Sequence, residues 1–352
     1  MPELKDAFRL ATDHARPAPG ALERQRALQR RAATRRKAGV FIAVAAVIAL
    51  ILATVLGGGA LRSDGDRIAD QPVPSGLYSL DVTTGALTPF HDPGPGTWSF
   101  QLAPDRSSML MQRDRHTGSE VWISEADGTD PRRLIGGADP AETPAWFPDG
   151  RRIAYVGFGP GAGRQVFIYD MDTGQRTMIT HEDPIVDAEF PSVSADGDTV
   201  YYATTRPGRS PRGEYENNLT PPPVGLIRAV DLATGSIRTI STNEDGGSYW
   251  PVEGDAGVAY VHRSGVAGDE AMEIHLIQPD GADVPVVERS SSIRGADFIT
   301  WSPDGSLLAY GASDYDGVWN AWVYDPSTEQ HRMVGPGTPQ VWLDDDTLLV
   351  GI

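Results

Sequence analysis

One phrase is written three times along this chain: WFPDGRRIAY from Trp146, VSADGDTVYY from Val193 and WSPDGSLLAY from Trp301. Self-similarity at a near-constant period points to repeated structural units, each burying its faces against the next. Further copies at Asp105 (LAPDRSSMLM), Asp255 (VEGDAGVAYV) and Asp345 (WLDDDTLLVG) bring the number to six, with centres 44, 47, 59, 49 and 41 residues apart. A second unit alternates with the first: an alternating apolar run, a Thr-Gly or Asp-Gly turn, and another short run. It begins at Leu77 (LYSLDVTTGALTPF) and again at Val121, Val166, Ile227, Ile274 and Ala321.

Both units have hairpin chemistry. Glycine supplies positive φ, proline presets φ at the start of the turn, and aspartate bonds back to nearby amides. Two hairpins make four strands, and four short strands in about 45 residues match one blade of a β-propeller. The expected fold is therefore all-β: a six-bladed β-propeller of four-stranded blades. The series opens with a second-type unit at residues 77–90 and closes with a first-type unit at residues 341–351. Neither half buries its faces alone, so the N- and C-terminal strands are expected to complete one blade and close the ring. Asp105, Asp149, Gly150, Asp196, Gly197, Asp304 and Gly305 are accordingly read as structural turn residues, with Trp146 and Trp301 packing between neighbouring sheets.

The pairing of "SPDG…LAY" with "Y/F-x-x-D-x-x-T-G" resembles the repeats of TolB-like proteins over roughly residues 76–352. That resemblance implies an extracytoplasmic six-bladed propeller that docks proteins. The chain departs from TolB in having no mixed α/β domain before the propeller, so TolB's own partner is not carried over.

Ahead of the repeats, an uncharged stretch of twenty-four residues begins at Ala38 and ends at Leu61. As a helix it would span about 36 Å, enough to cross a hydrocarbon core of about 30 Å. Residues 1–37 hold ten Lys/Arg against four Asp/Glu, and Arg35, Arg36 and Lys37 abut the apolar stretch. Cations at one end of a span keep that end in the cytoplasm. The expected organisation is a short helical basic cytoplasmic tail (1–37), a single transmembrane helix in the lipid bilayer (38–61), a polar linker (62–75) and an extracytoplasmic propeller (76–352). This layout resembles membrane proteins of high-GC Gram-positive bacteria. In the tail, Leu4, Ala7, Phe8 and Ala11 share one face of a short helix; the tail is read as an orientation signal lying along anionic lipid, with a docking helix for a cytoplasmic partner such as a sigma factor as the alternative.

The formal charge is −18 overall, so the residues beyond the tail carry −24. Such a body repels phosphate, and no nucleic-acid partner is expected. There is no cysteine, hence no disulfide, thiolate metal site or cysteine nucleophile. The run GFGPGAG, from Gly157 to Gly163, leads into a strand rather than a helix and is read as a loop, not a phosphate cradle. The seven histidines fall at no helical metal-site spacing, and the acidic runs at Asp170, Asp314 and Asp344 lack the spaced ligand of a calcium loop. No G-x-S-x-G elbow occurs. No cofactor, metal site or catalytic residue is expected.

The most individual feature is the long gap between Asp196 and Asp255, where Arg206, Arg209, Arg212 and Tyr215 make a basic loop on an acidic domain. Long loops on rigid scaffolds carry recognition, and these four residues are the candidate partner contacts. The expected role is a non-enzymatic protein-binding scaffold. The alternatives are a transmembrane regulator acting through its tail, and a propeller hydrolase or lyase with its site in the central channel.

Overall fold

Wherever the repeats place a turn aspartate, the chain reverses between two strands. The computed structural model describes residues 73–352 except 117, 138, 160–162, 183–185, 206–224, 242–245, 267–268 and 291–292. Among the described residues no helix is long and apolar enough to cross a membrane. The tail, the apolar stretch and most of the linker expected from the sequence lie outside them, as do Arg206, Arg209, Arg212 and Tyr215.

Among the described residues, twenty-four strands group in fours. The first sheet holds β3 (Thr97–Leu102), β4 (Ser108–Arg115), β5 (Gly118–Glu125) and β6 (Arg132–Ile135). The next two are β7 (Glu142–Trp146), β8 (Arg152–Phe158), β9 (Arg164–Asp170) and β10 (Arg176–Met178), then β11 (Asp187–Val193), β12 (Thr199–Thr205), β13 (Leu226–Asp231) and β14 (Ile237–Thr239). They are followed by β15 (Gly247–Gly254), β16 (Gly257–Val266), β17 (Asp269–Ile277) and β18 (Asp283–Val287). Then come β19 (Gly295–Trp301), β20 (Leu308–Ser313), β21 (Trp319–Asp325) and β22 (Gln330–Pro336). These last two groups are antiparallel meanders joined by a single parallel pair, Met272 with Gly295.

The remaining sheet takes strands from both ends of the described chain, in the order β2 (Leu87–Pro89), β1 (Leu77–Asp81), β24 (Thr347–Gly351), β23 (Thr338–Trp342). β1 and β24 run antiparallel from Leu77 opposite Gly351 to Asp81 opposite Thr347. Gly76 and Ile352 extend the ladder by exchanging backbone hydrogen bonds of 3.0 Å in both directions.

Apolar clusters fill the space between successive groups. Leu110 and Val121 meet Ile153 and Tyr155; Ala154 and Val166 meet Val200 and Tyr202; Tyr201 and Ile227 meet Val258 and Tyr260. Val261 and Ile274 meet Leu308 and Tyr310; Ala309 and Val323 meet Leu348 and Val350. A last cluster brings Val341 and Leu349 back to Met109 and Met111, the first group. The first strands of the groups also touch in order, β3 to β7, β11, β15, β19, β23 and back to β3.

Indole hooks fasten neighbours together. Trp146 Nε1 donates to the carbonyl of Gln101 at 3.2 Å, Trp301 to Val252 at 3.1 Å and Trp342 to Thr300 at 3.1 Å. All three stand at matching positions on first strands, and each reaches the preceding first strand. On β15 a carboxylate takes this role: Glu253 accepts the Ala195 amide and the Tyr201 hydroxyl, both at 2.7 Å.

Candidate ligand-binding channel

The turn residues singled out in the sequence sit at the hairpins after the first strands. Asp105 Oδ1 accepts the Ser107 amide at 2.9 Å, and Asp149 Oδ1 accepts the amides of Arg151 and Arg152. Asp196 Oδ1 accepts the Asp198 amide and the Ser194 hydroxyl, and Asp304 Oδ1 those of Ser306 and Ser302. Gly150, Gly197 and Gly305 each adopt φ near 70° (67°, 77° and 75°), while Arg106 fills that place in the first copy at 61°. The acidic runs behave alike: Asp170, Asp314 and Asp344 each accept the amide two residues on.

The first strands carry something the repeat phrase does not advertise. Each is broken by a bulge, and in five of them the bulge holds a non-glycine residue at positive φ: Ser99, Thr143, Phe190, Trp250 and Phe298. Bulges re-aim side chains, and such backbone outliers concentrate at binding sites. A cavity of about 370 Å³ lies between these strands, with Gln101, Thr143, Phe190, Ser192, Trp250 and Thr300 in its wall. The hydroxyls of Thr143 and Ser192 are buried there without a hydrogen-bond partner.

Two of the cavity's lining rings, Phe190 and Trp250, begin a row that runs on beyond the cavity to Phe298 and Trp319. Phe190 and Trp250 centroids are 4.7 Å apart, Trp250 and Phe298 stack at 6.3 Å and 23°, and Trp319 meets Phe298 edge-on at 5.5 Å. Phe298 is 37% exposed.

Carboxylates stand directly before three of the bulge residues, at Glu142, Glu189 and Asp297. Arg164, opening β9, has Nε 3.1 Å from Glu142 Oε2, and Nη1 3.1 Å from Glu189 Oε1 and 3.6 Å from Asp187 Oδ2. Burial raises the Glu189 carboxyl above its ordinary range against the opposing pull of Arg164. Asp297 is 6% exposed, and burial pushes it up to about 7; the one bond recorded to its side chain comes from the Phe298 amide, at 2.7 Å.

Sequence reasoning also left the histidines scattered, yet cross-strand register brings His262 of β16 and His275 of β17 to 5.1 Å between centroids, with His275 Nδ1 3.4 Å from Asp283. Only the register of β16 against β17 reveals that pairing. Among the described residues no group of three or more acidic or histidine side chains is placed to hold a metal ion.

No protein-family model matches the chain. Over 60 residues, 17% of its length, it is 35% identical to the Tol-Pal system protein TolB of Xylella fastidiosa strain M12, a stretch that spans 13% of that relative. The solved structure of a putative TolB from Agrobacterium tumefaciens matches at a TM-score of 0.55 and 15% identity, over 78% of this chain and 96% of that one. An oligogalacturonate lyase in complex with manganese matches at 0.52 and 19% identity, over 74% of this chain and 72% of that one. At these identities the likeness shows the fold: the described residues form an all-β, propeller-like domain similar to that of TolB.

Proposed function

We propose that this chain is a membrane-anchored, extracytoplasmic six-bladed β-propeller that binds a partner protein and catalyses no reaction. The observation that carries this reading is the cavity between the first strands, with Phe190 and Trp250 in its wall and Phe298 stacked on Trp250 beside it. Clustered aromatic rings beside a few placed polar groups are the composition of a binding site. The six four-stranded groups, whose first strands touch in a circuit, support the blade number. The partial identity to a Tol-Pal system protein supports a protein ligand. In this reading residues 1–37 are the cytoplasmic tail, residues 38–61 the anchor, residues 62–75 a linker and residues 76–352 the propeller. The loop bearing Arg206, Arg209, Arg212 and Tyr215 offers further partner contacts.

Cross-linking the full-length protein in its native membrane and identifying what is attached tests the scaffold. Repeated recovery of one protein supports it, and recovery of none overturns it. Protease added to intact cells tests the topology: the acidic portion should be cut without lysis.

A second reading, a hydrolase or lyase working in the channel, draws on Glu142, Asp187 and Glu189 around Arg164 and on the buried Asp297. Incubation with oligogalacturonate, followed by chromatography for chain shortening, checks one substrate that a fold neighbour's name suggests.

A further inference from the structure

The cavity between the first strands is nearly without charge, in a protein whose formal charge is −18. Among the described residues Glu253 is the one charged side chain in its wall. Both oxygens of that carboxylate are taken, by the Ala195 amide and the Tyr201 hydroxyl. No lysine, arginine or histidine of the described residues stands in the wall. An anion entering there would lose its water and meet no cation, which is unfavourable. A cation would find no free carboxylate. The space suits a neutral guest.

The polar groups of the wall are largely uncommitted. Two places beyond the bulge residue, the wall carries Gln101 on β3, Ser192 on β11 and Thr300 on β19, with Ala145 and Val252 on the strands between. Polar and apolar groups thus alternate along these five strands. Among the described residues nothing bonds to the side chains of Ser99, Gln101 or Thr300; only the Gln101 and Thr300 carbonyls are engaged, by indole N–H groups. The hydroxyls of Thr143 and Ser192 are buried without a partner as well. Hydroxyl and carboxamide groups both donate and accept, so a matching guest must do both at several points.

The backbone offers less. Pro144, Pro191 and Pro251 follow the bulge residue on β7, β11 and β15, and all three line the cavity. Proline has no amide hydrogen, so a peptide strand laid along these edges would miss part of its ladder. Recognition falls to the polar side chains and to the rings of Trp146, Phe190 and Trp250.

A saccharide has the required form. Its hydroxyls run round the rim, each donating and accepting, while its C–H faces pack against aromatic carbon. A heteroaromatic base keeps its fewer polar groups in one plane and would leave part of the wall unpaired. The cavity of about 370 Å³ falls within the usual span of ligand pockets, about 300–1,000 Å³.

We propose that this cavity binds a neutral saccharide, its rim hydroxyls bonded among Ser99, Gln101, Ser192 and Thr300 and a C–H face against Phe190 and Trp250. This ligand is additional to the partner protein proposed above.

The test uses the full-length protein in a detergent that has no sugar headgroup. It is applied to an array of neutral oligosaccharides (glucans, mannans, galactans, xylans and chitin oligomers) printed beside oligogalacturonates, the acidic counterpart of the galactans. Calorimetry then measures the tightest binder. At least one neutral series should bind saturably, and oligogalacturonates at least about tenfold more weakly. Binding to no neutral series, or equal binding of the oligogalacturonates, overturns the proposal; neither readout needs a variant to fold. Gln101→Met and Thr300→Val remove a polar group with little change of volume, and each should weaken the neutral sugar by about tenfold. Met333→Ala, on an exposed residue outside the cavity, should leave binding unchanged. Undiminished binding in both cavity variants places the sugar elsewhere and also overturns the proposal.

Discussion

The two sides of the channel share one backbone device and differ in what they hang on it. On β3 and β7 the positive-φ positions carry Ser99 and Thr143, at 57° and 43°; on β11, β15 and β19 they carry Phe190, Trp250 and Phe298, at 53°, 48° and 56°. Both sides accept a conformation that non-glycine residues avoid, so the bulge belongs to the architecture. The side chain chosen there is a separate decision, and large rings on three neighbouring strands are not needed to make a blade. The difference teaches where the ring of sheets ends as a fold and begins as a site.

The comparison assumes that both sides stand in one closed circuit, and removing β24 attacks that assumption most severely. Deleting residues 347–352 takes away the partner of both β1 and β23. Calorimetry should then show no cooperative transition, and a parental melting temperature would break the closed circuit.

Next in size are the indole hooks, present on both sides. Trp301→Ala is expected to cost about 3–5 kcal/mol, as deep aromatic truncations do. Trp146→Ala should cost less, since Trp146 is only half-buried. Denaturant midpoints measure both. Gly254 lies flat against the Trp301 ring, where an added Cβ would come within 2.3 Å of it, so Gly254→Ala should lose about 1–3 kcal/mol.

Asp297 sharpens the comparison through pH. Its folded-state value, about 7, lies above the reference value of 3.8, so the folded protein holds a proton that the unfolded chain releases. That contribution is complete below about pH 4 and disappears as pH rises through 7. Asp297→Asn should therefore stabilise the domain by about 1–3 kcal/mol at pH 8 and change little at pH 4. Urea unfolding at the two pH values decides it.

The smallest effect concerns the bulge itself. Asparagine tolerates positive φ better than serine, so Ser99→Asn should gain about 0.5 kcal/mol. Phe298→Asn should leave stability within about 1 kcal/mol, because the ring is already more than a third exposed. Thermal melts of the two variants separate the two sides.

Much of the fold was legible because its signals are local. A Pro-Asp-Gly turn requires only neighbouring residues, and at Phe147 to Gly150 the structure shows the expected reversal, with the Gly150 amide on the Phe147 carbonyl at 3.0 Å. The alternation of two hairpin types likewise foreshadowed the four-strand groups and the pairing of β1 with β24. The channel wall was less accessible, since which residue falls in a bulge depends on register against the second strand. One clue was present: Ser99, Thr143, Phe190 and Phe298 each lie six residues before the turn aspartate of their repeat. Aligning the copies on that aspartate would have stacked them in one column. The burial of Asp297 and the gathering of three carboxylates around Arg164 had no such clue, because they join residues from separate repeats.

The composite sheet also imposes an order of events. β1 and β2 are made first, but the strand that completes their sheet, β24, follows more than 250 residues later. At ordinary synthesis rates that interval is on the order of tens of seconds, during which one side of β1 stays open to any passing strand. Newborn chains of this kind have reason to need a chaperone's protection until the last segment arrives.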